Sequence, residues 1–474
     1  MISGLLFIGI TLILILEGAL TARLILNVRS RWLLLSLGLP IAALVNVLVV
    51  FVWTVAHVPL ITLSVLLPHV VIAAILISKN RRTAKASINT HRDPETGDRK
   101  NVLEWLCMAL IASTAIYSFG HAVLLPTFQY DSATNWTMRS EISFFDQKIA
   151  FDTNEDRGMA KPQYPFLFHA LQITTNQGKA GFYRGVASQG GAGWNDTAAN
   201  SILWLLSLSC FTALFLILRM LVGRLKALLT LTMILGIPLL SLHLGQSYAD
   251  IVLLQELLLS LACLMMWIRR KDKGWLILSG ILVASSVWTK SEGLFFGLIP
   301  WLLAIAAITV ADRTQRKDAL HAGLIALALS IPWQIFAIAK GLLLTPHSAD
   351  TIISFHSEGV REMLSGLFDR GSFGIAWYVL LIAVPWMIIE LCRSKKQDRT
   401  DAVPLAWGML IFLEVIFIYL FTPNVQFLLN AESFYRQMMI PAAMLMLTVS
   451  VWFSARSLLV GTASPSSASA SPAA

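Results

Sequence analysis

The chain has 474 residues, 56% hydrophobic and only 13% charged, with a formal net charge of +9. Soluble domains carry roughly 25% charged residues, so this composition, with a mean hydropathy of +0.70, excludes a water-soluble globular domain. The basic excess sits in short connections between apolar runs, which argues for control of membrane topology and against nucleic acid as a partner.

The apolar runs are about 20 residues long, the length that crosses roughly 30 Å of hydrocarbon. They do not alternate polar with apolar residues, so they read as helices, which satisfy their own backbone groups in lipid. Thirteen spans are read near 2–26, 32–56, 59–78, 102–125, 199–219, 225–244, 250–268, 274–289, 292–311, 319–339, 374–391, 403–421 and 434–455. The expected fold class is therefore an all-α integral membrane protein with about thirteen transmembrane helices. Met1 to Leu26 is a full span carrying Glu17 and lacks a small-residue cleavage site, so it reads as a retained helix and not as a signal peptide.

Alternate connections carry Arg29 and Arg31, Lys79 to Lys100, Arg219 with Arg224 and Lys226, Arg269 to Lys273, Arg313 to Lys317, and Arg393 to Arg399. Together with Arg23 and Arg456 on the same side, these hold 25 of the 36 Lys and Arg residues, leaving 11 on the other side. The positive-inside rule then puts the N-terminus outside and the C-terminus in the cytoplasm, the expected location being a bacterial inner (plasma) membrane. Residues 1–100 read as three added N-terminal helices with a basic cytoplasmic loop, and 101–456 as the working core. Three outer loops, 126–198, 340–373 and 422–433, belong to that core. The Ser/Ala/Pro-rich residues 457–474 read as a disordered tail. Cys107, Cys210, Cys263 and Cys392 have neither metal-ligand spacing nor a disulfide pattern, and read as small packing residues.

In chain order, the first chemical motif is Tyr130-Asp131, just past the fourth span. A carboxylate at the lipid–water boundary can accept a proton from an acceptor hydroxyl, while the plainer reading is an Asp capping the next helix. The same loop mixes Glu141, Asp146, Asp152, Glu155, Asp156 and Lys161 with Trp136, Phe144, Phe145 and Phe151, the pattern of amphipathic helices lying at the interface. Gln163-Tyr164-Pro165 breaks that pattern before an apolar helix. Tyr248-Ala249-Asp250 forms a hinge at the start of a span, where a carboxylate also suits a helix N-terminus. Lys290-Ser291-Glu292-Gly293 joins two spans through almost no loop, either as a phosphate and sugar contact or as a structural ion pair. Tyr435-Arg436 opens the last span, where a guanidinium entering apolar helix seeks an anion. Arg361, Arg370 and Arg184 are further outer cations, and Glu17, Glu256 and Glu414 lie inside spans.

The order of these motifs resembles the C-type (GT-C) superfamily of polytopic membrane glycosyltransferases. The nearest likeness is to bacterial relatives of the dolichyl-phosphate-mannose protein mannosyltransferases and of the aminoarabinose transferases that modify lipid A. The resemblance runs from about Val102 to Val451 and includes a long first core loop with interfacial helices, the Tyr164-Pro165 pair, Trp194-Asn195 before a span, the Tyr-Ala-Asp hinge, the Lys-x-Glu-Gly turn and the late Tyr-Arg. It implies inverting transfer of a sugar from a polyprenyl-phosphate-linked donor to a lipid, glycan or protein acceptor at the outer membrane face. On that resemblance Asp131 is the catalytic base. Tyr130, Lys161, Tyr164, Tyr248, Asp250, Lys290 and Glu292 surround the substrates, and Arg436 lies near the donor phosphate. Two positions depart from the pattern. Lys161-Pro162-Gln163 stands where an acidic residue or His often precedes the Tyr-Pro pair, and Phe427 to Asn430 lacks a His found before the late Arg.

No cofactor is required by this reading: no Gly-rich phosphate loop is present to bind a nucleotide sugar, and no ligand spacing demands a divalent metal, although clustered carboxylates leave one possible. Membrane lipids are expected partners and nucleic acid is not. The competing readings are a polytopic transporter and a lipid-linked glycan ligase or polymerase. A transporter is expected to show internal repeats and interrupted spans near the midplane. A ligase or polymerase is expected to carry its long outer loop late in the chain.

Overall fold

A computed structural model describes residues 2–26, 28, 30–84, 101–127, 129–151, 162–180, 193–342, 353–393, 400–430 and 433–461. The candidates Lys161 and Arg184, the carboxylates Asp152, Glu155 and Asp156, most of the basic loop before Lys100, and the tail from 462 onward lie outside these residues.

The described chain is a helical bundle in which eleven helices are long and apolar enough to cross a membrane. Helices α1 (Ile2–Ile25), α2 (Arg31–Val55) and α3 (Thr62–Ala84) come first, then α4 (Val102–Leu124). The loop after α4 contributes α5 (Met138–Phe145) and α6 (Leu167–Ala180). Next come α7 (Asp196–Val222), α8 (Arg224–Leu235), α9 (Pro238–His243), α10 (Ala249–Arg270), α11 (Lys273–Thr289), α12 (Ile299–Ala311) and α13 (Arg316–Ala339). Helices α14 (Glu358–Leu367), α15 (Arg370–Phe373), α16 (Ala376–Arg393), α17 (Ala402–Phe421), α18 (Val425–Leu429) and α19 (Phe434–Gly461) complete the order.

Two of the thirteen expected spans differ. The 225–244 span is not one helix: it breaks at Gly236-Ile237, because Pro238 has no N–H to continue the ladder and instead starts α9. The 274–289 span is an apolar helix of only 17 residues, α11, which packs against α10 and ends where Lys290 turns the chain. Helix α10 is the centre of the bundle. It is buried along its length against α7, α11 and α19, which places its N-terminal Asp250 inside the protein.

Ionisable groups inside apolar helices are costly unless they find partners, and most of these do. Glu256 of α10 accepts hydrogen bonds from Ser285 and Thr289 of α11 at 2.5 and 2.7 Å. Glu17 of α1 pairs with the His69 imidazole of α3 at 2.7 Å. The other ring nitrogen of His69 lies 3.1 Å from the Asn46 carbonyl oxygen of α2, which also accepts from Thr174 of α6 at 2.8 Å. This fastens the first three helices to the outer-loop helix. Glu414 Oε2 is enclosed without a hydrogen-bond partner among the described residues.

Helix α6 does not lie on the surface. His169, Gln172, Thr174, Thr175, Asn176 and Gln177 are all buried, enclosed by α1, α2 and α7. Its polar side chains are spent internally: Ser140 meets His169 at 2.8 Å, and Gln172 donates to Ser247 at 3.1 Å. The sequence places an apolar helix after the Tyr164-Pro165 break; the structure runs it from Leu167 to Ala180, and its polar groups bind it into the interior.

Candidate functional site

Five charged side chains, drawn from four separated stretches of sequence, form one continuous chain of contacts. Arg436, in the first turn of α19, forms an ion pair with Asp131 and approaches Asp250 at 3.9 Å. Asp250 accepts from Lys290 at 2.8 Å, and Lys290 also meets Glu292 at 2.8 Å. Gln437 donates to the same Glu292 carboxylate at 3.2 Å, and Asn135 to Asp131 at 2.7 Å. Signs alternate along the row, and two cations against three carboxylates leave one net negative charge.

Local sequence explains how each group is held. Asp131 and Glu292 each stand immediately before a π-helical stretch, Ser132–Thr137 and Gly293–Leu298. Such bulges are rare and recur at functional positions. The Lys290–Glu292 turn lies tight on α11 because Gly293 has no side chain: a Cβ there would stand 2.0 Å from the Ser286 carbonyl oxygen. Gly293→Ala is expected to lower stability by roughly 1–3 kcal/mol through overpacking. A thermal denaturation midpoint matching the parent protein's would contradict that fit. The hinge before Asp250 is tied down by Ser247, whose carbonyl accepts from Ser132 at 3.0 Å and whose hydroxyl bonds Asn200.

The row runs from wet to dry. The Asp131 side chain is 28% exposed and Asp250 4% exposed. Burial alone would lower the Lys290 pKa, but Asp250 and then Glu292 hold it well above the ordinary lysine range. Lys290 therefore stays cationic and already serves two carboxylates, with the Tyr164 ring 5.8 Å away. Arg436 lies 4.7 Å from the Tyr248 ring, and its enclosed Nη1 makes no hydrogen bond among the described residues.

Asp131 and Arg436 open into a cavity of about 660 Å³ lined also by Tyr130, Tyr248, His243, Asp369, Ser372 and Tyr435. Tyr130 is the most exposed of these, at 81%. Tyr164 is not in that lining. It stacks on Trp136 at 5.1 Å, and burial followed by the Glu292 charge pushes its phenol well above the usual range. Its carbonyl accepts from the buried Arg139 at 2.8 Å. Arg139 also binds the Ala150 and Pro162 carbonyls, and burial lowers its pKa to about 9, which leaves it cationic at neutral pH. It thereby clamps the Tyr-Pro segment in place.

Three polar cavity residues, His243, Asp369 and Ser372, were not among the sequence candidates. His243 ends α9 and packs on Tyr248 at 4.8 Å. It supplies an imidazole to the cavity from a different helix than the late Arg, whose neighbourhood lacks one. Asp369 accepts from the backbone of Gly371 and Ser372, and the Ser372 hydroxyl lowers its pKa. Tyr435 stacks on Phe373 at 6.1 Å. The nearest sequence signal for His243 was its position just before the hinge that leads to Tyr248 and Asp250. Next to His243 in the chain, Leu244 belongs to an apolar groove of about 320 Å³ between α4, α7 and α8, walled by residues such as Ile111, Ala115, Phe211 and Leu231. Among the described residues no three His, Cys, Asp or Glu side chains are grouped so as to hold a metal ion.

Fold and site together define a polytopic, all-helical membrane protein with a charged cavity at one end of its bundle, beside an apolar groove. Two solved structures share this architecture, both of ArnT from Cupriavidus metallidurans. The form bound to undecaprenyl phosphate superposes with a TM-score of 0.52 at 15% identity, covering 76% of this chain and 63% of that one. The apo form gives 0.51 at 14% identity, covering 75% and 62%. The chain thus matches somewhat under two thirds of ArnT's length, and at these identities the likeness is one of fold. No family model and no curated protein matches the sequence.

Proposed function

We propose that this protein is an inverting glycosyltransferase that moves a sugar from a polyprenyl-phosphate-linked donor to an acceptor hydroxyl at the extracytoplasmic membrane face. The observation that carries the reading is the Asp131–Arg436 pair opening into a polar cavity lined by His243, whose chain neighbour Leu244 lines an apolar groove. A donor with a lipid tail needs both surfaces side by side. The crystallised complex of ArnT with undecaprenyl phosphate supports a lipid phosphate as ligand of the shared fold.

The ion pair gives the site a resting state and a trigger. When the donor phosphate enters, its oxygens compete for the Arg436 guanidinium, a fork suited to phosphate. Asp131 is then free to accept the proton of the acceptor hydroxyl. The hydroxyl oxygen bonds to the anomeric carbon, the bond from that carbon to the phosphate oxygen breaks, and the polyprenyl phosphate leaves as an anion. Arg436 stabilises the charge that develops on it. Asp250, Lys290 and Glu292 stand behind as fixed charges that hold Arg436 in place.

The test is transfer by the purified protein in proteoliposomes supplied with polyprenyl-phosphate sugars, read as acceptor glycosylation and anomeric configuration. Solute flux without any transfer would favour a carrier and overturn the reading. Ala115→Trp, which fills the apolar groove, is expected to raise KM for a long-chain donor on the order of tenfold or more while sparing a short-chain analogue. Equal effects on both donors would remove the groove as the tail site.

A further inference from the structure

A second cavity lies where the first three helices meet the core. It measures about 770 Å³ and is bounded by the α2–α3 turn, the segment after α5, and the end of α13. Nothing in the transfer mechanism uses it. Its floor is aromatic, with Trp53, Phe151 and Phe336 among its lining, and Phe151 and Phe336 are 5.2 Å apart. Its rim carries Lys148 and Lys340, both exposed, and neither makes an ion pair among the described residues. Lys340 stands 6.0 Å from the Phe336 ring, so its stem lies along the aromatic wall with the ammonium at the mouth.

The mouth is built, not loose. His57 and Gln147, both in the lining, are two of the three non-glycine residues with positive φ among the described residues, at 55° and 54°. Residues other than glycine hold that conformation only where surrounding structure imposes it. Here the Leu60 N–H donates to the Gln147 carbonyl at 2.7 Å, and Gln177 of α6 donates to the Leu60 carbonyl at 2.9 Å. The side facing outward is apolar: Val55, Leu63, Ile335 and Ile338 are exposed large hydrophobic residues on the helices that flank the opening. Two ammonium groups without an ion pair among the described residues outnumber the one carboxylate of the lining, Asp146, and with the aromatic floor opening onto lipid-facing helices they match one ligand class in charge and polarity.

We propose that this cavity binds the head group of an anionic phospholipid of the surrounding bilayer, its phosphate between Lys148 and Lys340 and its upper acyl carbons against Trp53, Phe151 and Phe336. The site seals the junction between the added helices and the core with lipid. It stands independently of the transferase reading, because its readout is lipid retention and not transfer.

Native mass spectrometry of the full-length protein, released from micelles containing phosphatidylglycerol, phosphatidylcholine or a phosphorylated glycolipid, tests it. The parent protein and the K148R/K340R variant should each retain one phosphatidylglycerol. Retention should fall on the order of thirty-fold in K148Q/K340Q, where two exposed lysines near a lipid phosphate are removed. Equal retention by the parent and the glutamine variant, or no retention at all, overturns the site. Phosphatidylcholine held as well as phosphatidylglycerol overturns its anionic character. A phosphorylated glycolipid held in preference to phosphatidylglycerol overturns the assignment to bilayer lipid and points instead to an acceptor.

Discussion

Asp131→Asn is expected to lower sugar transfer by on the order of 10²- to 10⁴-fold, the range spanned by loss of a positioned general base. Asparagine fills nearly the same space and keeps a carbonyl oxygen for Asn135, whose amide donates to Asp131 at 2.7 Å. The variant should therefore insert and fold, since the carboxylate is more than a quarter exposed and Arg436 retains Asp250 at 3.9 Å. The loss should fall on kcat, with donor KM little changed or lower, because the neutral side chain no longer competes with the donor phosphate for the guanidinium. Single-turnover transfer in proteoliposomes separates the two parameters. Undiminished kcat in folded protein removes Asp131 as the base. A rise in donor KM with kcat intact would instead make it a binding residue.

Much of the fold could be read from the chain because its governing signals are local. Runs of about 20 apolar residues set the helices, and the alternation of basic connections set an expected order of crossings. The failures have physical causes. Span 225–244 is apolar throughout, so hydropathy does not register that Pro238 ends the backbone ladder within it. The apolar run after Pro165 announces helix α6, but only three-dimensional partners such as Ser140, Asn46 and Ser247 show where its polar groups are spent.

The site was legible in part for the same reason. Asp131, Asp250, Lys290, Glu292 and Arg436 are noticeable because ions at a lipid boundary are costly and need company. The choice of partner is not a local property. Nothing in the sequence says that Lys290 bridges Asp250 and Glu292 while Arg436, 305 positions from Asp131, closes on it. His243 and Asp369 were missed because a His near a helix end and an Asp before Arg-Gly-Ser each have an ordinary structural explanation. The two π-helical stretches were missed as well, since Ser132–Thr137 and Gly293–Leu298 carry no composition that separates them from regular helix.

Lys290→Met is expected to produce the largest loss of stability of any substitution in the row. The side chains of Lys290 and Asp250 are 7% and 4% exposed, so removing the ammonium leaves Asp250 dependent on a guanidinium 3.9 Å away, and Glu292 on the Gln437 amide. Breaking a buried pair from one side costs about 3–5 kcal/mol, a large share of the 5–15 kcal/mol typical of a folded domain. The sign with pH follows from the raised Lys290 pKa. Its contribution is complete below the unfolded lysine value of about 10.4, and it disappears only as pH climbs through the higher folded value. The parent–variant gap should therefore be constant across neutral pH. Thermal unfolding in detergent measures it, and the double variant Asp250→Asn with Lys290→Met isolates its origin. With both charges gone, most of the lost stability should return, because the uncompensated carboxylate and not the missing methylene contacts causes the loss. A double variant as unstable as Lys290→Met alone would mean that Lys290 acts by packing, and Arg436 would then need some other anchor than the buried Asp250.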